Sequence, residues 1–288
     1  MATRSPGQSM HGAVVGRQTW LSRIALWLSV FILVSPAVLV FLWMLSLSLK
    51  NEVDNTAFPP VFVPNPPTLA NYVEVFEKNR ILLYFWNSVL VTGAAVVIGL
   101  LVGVPAGYGI ARSKSAKSAV LILIARMTPA LSYLIPLFLL FQVTGLLGTI
   151  WALTITHLVI TVPIIVWIMI GYFENIPREL EDAALVDGAN GWQSFFHIAL
   201  PLARPGIVVG AILAFIFSWN NFIFSVVLAG KNTRTLPSAV YNMLTFEQVS
   251  WGPLAAAALL VTLPVLLVTV IAQREIVAGL SGGGLKDG

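Results

Sequence analysis

Hydrophobic positions in this chain neither alternate nor return every third or fourth residue; they run on. Six charge-poor stretches stand out, at 24–49, 82–111, 119–142, 147–173, 206–229 and 253–272. A helix rises about 1.5 Å per residue and a bilayer's hydrocarbon core is about 30 Å thick, so each stretch is long enough to cross. The pattern predicts an all-α polytopic membrane protein with six transmembrane helices. Pro36, Pro105, Pro129, Pro136, Pro163 and Pro264 fall inside these stretches. They would break soluble helices, but are tolerated where neighbouring helices satisfy the freed backbone groups, so a kinked and tightly packed bundle is expected. In the second stretch Gly99, Gly103 and Gly107 form a small-xxx-small run, which with Gly93 predicts close helix contact.

The polar segments between the stretches set the topology. Lys and Arg outside the apolar runs divide ten to five between the two sets of alternating segments. The richer side is cytoplasmic by the positive-inside rule, and both termini fall on it. One transmembrane domain over 1–288 is therefore expected, with cytoplasmic segments at 1–23, 174–205 and 273–288 and external loops at 50–81 and 230–252. The first apolar stretch is too long for a signal-peptide core and has no small-residue cleavage site after it, so it reads as a retained helix. Repeated prolines from Phe58 onward predict an extended strip in the first external loop, and Leu236 to Thr245 a short helix in the second.

The segment IPRELEDAALVDGANGWQSFFHIALPLARPG, from Ile176 to Gly206, is the most informative polar stretch. Pro177 suits a first helical turn, Arg178 to Val186 are strong helix formers, and Asp187-Gly188 is a stop. A second helix starts at Gly191, where Asn190 with Gln193 has the spacing of a capping box. The plainer account is an amphipathic hairpin on the membrane surface. Charge argues against it: Glu174, Glu179, Glu181, Asp182 and Asp187 face only Arg178 and Arg204. Interfacial helices favour basic polar faces, whereas an acidic knob suits a basic protein groove.

The series Asp182-Ala183-Ala184, Gly188, Ile198, Leu200-Pro201 resembles the EAA loop of binding-protein-dependent ABC importer permeases, position for position in spacing. It departs at the first residue, where Asp182 stands for glutamate with Glu181 just before it. Either carboxylate is a candidate for the family's salt contact with the ATPase. PPTLANY from Pro66, PLFLLFQVTGLLGT from Pro136, SWNNFIF from Ser218 and the glycine-rich tail from Gln273 are similar to the carbohydrate importers' permeases, most of all the maltose-type second permease subunit.

This resemblance implies an ABC type I importer permease fold and a cytoplasmic coupling loop formed by Glu181, Asp182, Ala183, Ala184, Asp187, Gly188, Ile198, Leu200 and Pro201. It also implies a second homologous permease subunit in a heterodimer, two cytoplasmic ATPases and an external solute-binding protein, in the cell's inner (plasma) membrane, with a sugar or related polyol as substrate. No cofactor is expected on this chain; ATP and Mg belong to the partner ATPase, since the sequence has no GxxxxGK[ST] phosphate loop.

Candidate pathway residues lie in the fifth stretch. On a continuous helix Ser218, Asn221 and Ser225 would fall at i, i+3 and i+7 as one polar stripe, with Trp219 and Asn220 beside it. Amide, hydroxyl and aromatic groups suit a sugar. The bland alternative is that such residues glue helix to helix, at about 0.6–2 kcal/mol each. In the fourth stretch His157 shares a face with Thr154 and Thr161; without an acidic neighbour it reads as a packing residue. Arg126 is placed to snorkel towards the cytoplasm.

Composition narrows the remaining classes. The 288 residues are 58% hydrophobic and 10% charged, with no cysteine and a net charge of +4. There is no basic stripe for nucleic acid, no thiolate chemistry, no clustered metal ligands, and no HExxH or GxSxG signature. An ion-gradient-driven secondary transporter is the leading rival. It would be expected to show inverted repeats or intramembrane carboxylates, and none of the 12 acids falls inside an apolar stretch. A non-transporting scaffold would leave the EAA-like spacing unexplained.

Overall fold

The structure, a computed structural model, describes residues 20–244 and 249–282. The expected N-terminal segment up to residue 19 and the end of the tail, 283–288, lie outside the described residues, as do residues 245–248 of the second polar loop. Among the described residues every regular element is helical, and the only strand-like pairing is an isolated parallel bridge between Gly148 and Ala229.

The chain divides into two compact units, Met1–Met44 and Leu45–Gly288. Helix α1 (Trp20–Ser48) begins in the first and runs on through Pro36. Pro36 has no N–H to offer the carbonyl four residues back, that of Ile32; the Ser35 hydroxyl donates to it instead, at 3.3 Å.

The second unit begins with two short helices, α2 (Glu52–Asn55) and α3 (Ala70–Lys78), separated by the proline-rich strip, which is not helical. Then come α4 (Ile81–Ser113), α5 (Ala116–Met127), α6 (Leu134–Thr144) and α7 (Ile150–Glu174). A polar segment holds α8 (Glu179–Val186), α9 (Gly191–Ser194) and α10 (Leu200–Leu202). The chain closes with α11 (Arg204–Trp219), α12 (Ile223–Leu228), α13 (Leu236–Tyr241) and α14 (Trp251–Gly282).

Four helices, α1, α4, α7 and α14, are each long and apolar enough to cross a membrane, and the number reaches six if each of two bent pairs counts as one span. The third apolar stretch is not a straight span: α5 and the segment Ala130–Thr144 meet at 91°. Proline is the cause. Thr128 precedes Pro129, a position that disfavours helical geometry, and it adopts φ −66° and ψ 126°, which closes α5. The fifth stretch is not continuous either, because α11 stops at Trp219 and α12 starts only at Ile223. At its other end α11 is bent by 72° from the segment Gly191–Leu202, with Ala203 between them.

Helices α4 and α7 form the centre of this unit. A Cβ placed on Gly99 would lie 2.9 Å from Ile165 and one on Gly103 only 2.8 Å from it, so the missing side chains let the two backbones approach. Gly93 has nothing within 4 Å and takes no part in this contact. Buried apolar clusters surround the pair. One holds Ile165, Met169, Phe173 and Phe195 beside the polar segment. A second gathers around Val75, Trp219 and Leu236, and a third around Val91, Phe141, Leu153 and Phe224. Away from the polar segment, the Glu52 carboxylate accepts the backbone N–H groups of Trp251 at 2.9 Å and Gly252 at 3.2 Å, capping the start of α14.

Candidate functional site

The polar segment between α7 and α11 folds as two short helices around a glycine turn. Helix α8 starts at Glu179, so Pro177 precedes it instead of filling its first turn, and its carbonyl accepts from Leu180 N–H at 3.4 Å. The helix closes in a Schellman motif: Ala189 N–H donates to the Ala184 carbonyl at 2.9 Å and Gly188 N–H to that of Leu185 at 3.1 Å. That turn requires the left-handed conformation Gly188 adopts, φ +92°.

Asn190 then caps α9. Its side-chain oxygen accepts from Gln193 N–H at 2.9 Å, while Gln193 Oε1 accepts from Asn190 N–H at 2.8 Å. A π-helical turn over Phe195–Ala199 carries the chain on to α10. Local chemistry therefore fixes the helix, glycine turn and helix expected of the sequence.

The two neighbouring acids are treated differently. Glu181 is buried, and both of its carboxylate oxygens are engaged within the chain. Oε1 accepts from Arg112 Nε at 2.8 Å and is ion-paired with Arg112 Nη2; Oε2 accepts from the Tyr108 hydroxyl at 2.5 Å. Asp182 is exposed, as are Ala183, Asp187 and Gly188, while Ala184, Ile198, Leu200 and Pro201 are half-buried. Ala184, Asp187, Gly188 and Ile198 border one shallow hollow of about 370 Å³ on the outer side of the turn, together with Gln193 and His197.

Arg112 and Tyr108 went unnoticed in the sequence as parts of this site. Arg112 counted only as a topology charge, although it stands in the last turn of a long apolar stretch, one helical turn after a tyrosine. Aromatic packing completes the arrangement: the Tyr108 ring centre lies 4.7 Å from that of Phe195 and 5.2 Å from that of Phe173.

The second candidate group does not form the expected stripe, because the helix ends before Asn220. Ser218 is buried between α7 and α4, with its hydroxyl 2.7 Å from His157 Nδ1 and 3.3 Å from Thr92 Oγ1. Ser225 is also buried, 2.8 Å from Ser238 Oγ and accepting from Thr235 N–H at 2.9 Å. Trp219 donates its indole N–H to the Val261 carbonyl at 3.0 Å and stacks on Phe215. These three side chains pack inside the chain. Asn220 is exposed and donates to the Ile216 carbonyl at 2.9 Å, while Asn221 is half-buried, its Oδ1 accepting from Phe224 N–H at 3.4 Å. They occupy the break between α11 and α12.

Residues 95–280 match the binding-protein-dependent transport system inner membrane component family. The chain is 32% identical over 249 residues to the sulfoquinovosyl glycerol transport system permease protein SmoH of Agrobacterium fabrum, covering 85% of this chain and 87% of that protein. It is 34% identical over 262 residues to the trehalose transport system permease protein SugB of Mycobacterium tuberculosis, covering 88% and 94%. The fold resembles that of a chain from a bacterial ABC transporter involved in the import of the acidic polysaccharide alginate, with a TM-score of 0.74 at 21% identity over 94% of this chain and 99% of that one.

Proposed function

The chain belongs to the family of binding-protein-dependent transport system inner membrane components, and from that premise we propose that it is the permease subunit of an ATP-driven sugar importer whose segment 174–205 is the coupling loop. The ion-gradient rival has no support from this membership. Relatives that carry a sulfoquinovosyl glycerol and a trehalose transport name favour a glycosidic or sugar substrate.

In this reading both termini and the coupling loop are cytoplasmic, a second homologous permease completes the pathway, two ATPases supply the ATP site, and a solute-binding protein delivers substrate from outside. The observation that carries it is the division of labour between the adjacent acids. Glu181 is tied inward, which leaves Asp182 as the acid at the head of the exposed surface formed by Ala183, Asp187 and Gly188. Asp182 is accordingly the ATPase contact, reaching a basic side chain of the partner. Asn220 and Asn221, at the break between α11 and α12, are the pathway residues, since Asn220 is exposed and Asn221 half-buried where the helix is interrupted, whereas Ser218, Trp219 and Ser225 are buried.

Asp182→Lys tests the assignment. In the assembled transporter it should lower the amount of co-purified ATPase at least tenfold and abolish uptake, with the permease pair still recovered. Full ATPase recovery together with parental uptake would rule the assignment out.

A further inference from the structure

We propose that Arg112 and Glu181 form an internal strut through which α8 moves α4 and α7 as one body. The proposal rests on the coupling-loop reading above, but concerns residues that face into the chain. Arg112 gathers three elements. Its Nη1 donates to the Phe173 carbonyl at 2.7 Å in the last turn of α7, and its Nη2 reaches the Ile176 carbonyl just beyond it at 3.4 Å. Its Nε and Nη2 hold Glu181 of α8, and its own carbonyl accepts from Arg178 Nη2. The guanidinium belongs to α4 and sits 5.7 Å from the centre of the Tyr108 ring, whose hydroxyl binds the other oxygen of Glu181.

This geometry resists sliding. The paired side chains retain only 15% and 9% of their exposure, so water cannot take over the bonds if α8 shifts against α4. A charged group separated from its partner in such a place is strongly disfavoured. Cations at a helix C-terminus are also favoured by the helix dipole, and Arg112 lies at the C-terminal ends of both α4 and α7. Beyond the strut, Gly99 and Gly103 seat α4 directly against Ile165 of α7. A push on α8 thus reaches both central helices without passing through a flexible joint. Arg112, Tyr108 and Glu181 are positioning residues that touch neither solute nor nucleotide.

The test uses the complete transporter in proteoliposomes, with uptake measured per ATP hydrolysed. Glu181→Gln and Arg112→Lys keep side-chain size but weaken the ion pair. Both should retain the co-purified ATPase while uptake per ATP falls at least tenfold; Tyr108→Phe, which removes one hydrogen bond and leaves the packing, should lower it about threefold. Loss of the ATPase from Glu181→Gln would make Glu181 a direct ATPase contact and overturn the strut, as would parental uptake per ATP in both charge variants.

If either charge variant does not assemble, spin labels at the exposed Val186 and Leu101 decide the matter in the Tyr108→Phe background. Their separation should stay fixed between nucleotide states in the parent and change in the variant; equal behaviour in the two overturns the proposal. Full ATPase recovery together with parental uptake in Asp182→Lys would instead defeat the coupling assignment, whatever the strut variants do.

Discussion

A Cβ built on Gly107 would stand 2.6 Å from the Cβ of Met169, closer than the other two glycine contacts of α4. No rotamer change relieves a clash between two Cβ atoms, so the helices themselves must part. Gly107→Val is expected to destabilise the protein by about 1–3 kcal/mol, the usual range for overpacking a tight interface. Gly93→Val, with open space around it, should stay within about 1 kcal/mol of the parent. Thermal unfolding of the two variants in detergent checks the contrast, and equal midpoints would remove Gly107 from the interface.

His157 bridges three helices through one hydroxyl. With Ser218 donating to Thr92, the imidazole supplies its proton from Nδ1 and leaves Nε2 without a hydrogen-bond partner among the described residues. His157→Leu fills similar space but strips Ser218 of that partner deep in the bundle. It should cost about 1–3 kcal/mol, the penalty for a buried polar group left short of hydrogen bonds. His157→Asn keeps a donor near the same place and should recover part of the loss. Uptake is expected to follow the amount of folded protein; a variant with parental stability and no uptake would move His157 from packing to transport.

Glu52 acts across 199 and 200 residues of sequence, joining α2 to the first turn of α14. Its carboxylate faces the two N–H groups that a helix start leaves unpaired, where negative charge is favoured. Glu52→Ala should weaken that end by about 1–2 kcal/mol, seen as faster amide exchange at Trp251 and Gly252, while Glu52→Gln loses less because its side-chain oxygen can still accept. Unchanged exchange in Glu52→Ala would show that solvent satisfies those groups equally well.

Much of the architecture could be read from the chain because membrane helices declare themselves by length and composition. The boundaries of α1, α4 and α7 follow the apolar stretches, and α14 starts with its stretch but runs on to Gly282, ten residues past the expected end at 272. Local signals with a stereochemical cause were equally legible: Gly188 at the turn, Asn190 with Gln193 at the start of α9, and the small-residue run of α4. The failures have a common origin. Apolar composition does not report backbone continuity, so the break after Trp219 turned an expected stripe into two separate sets of contacts. Pro129 carried a warning, but Pro36, Pro105 and Pro163 lie inside unbroken helices, and only packing distinguishes the cases. The Arg112 to Glu181 pair spans 69 residues, and no local pattern encodes a partner at that distance.

The π-helical turn at Phe195–Ala199 gives the motif's fixed spacing a mechanical meaning. A π turn is a regular helix carrying one residue too many, wound wider to accommodate it. Ile198 follows Gly188 by ten residues and lies within that wider winding. Because the wider turn takes up the extra residue, removing one there would let the helix tighten to regular winding with the downstream heading nearly kept. The residue count between glycine and isoleucine therefore sets the girth of the helix at Phe195–Ala199, while the heading on which the chain enters α11 is set by the 72° bend at Ala203.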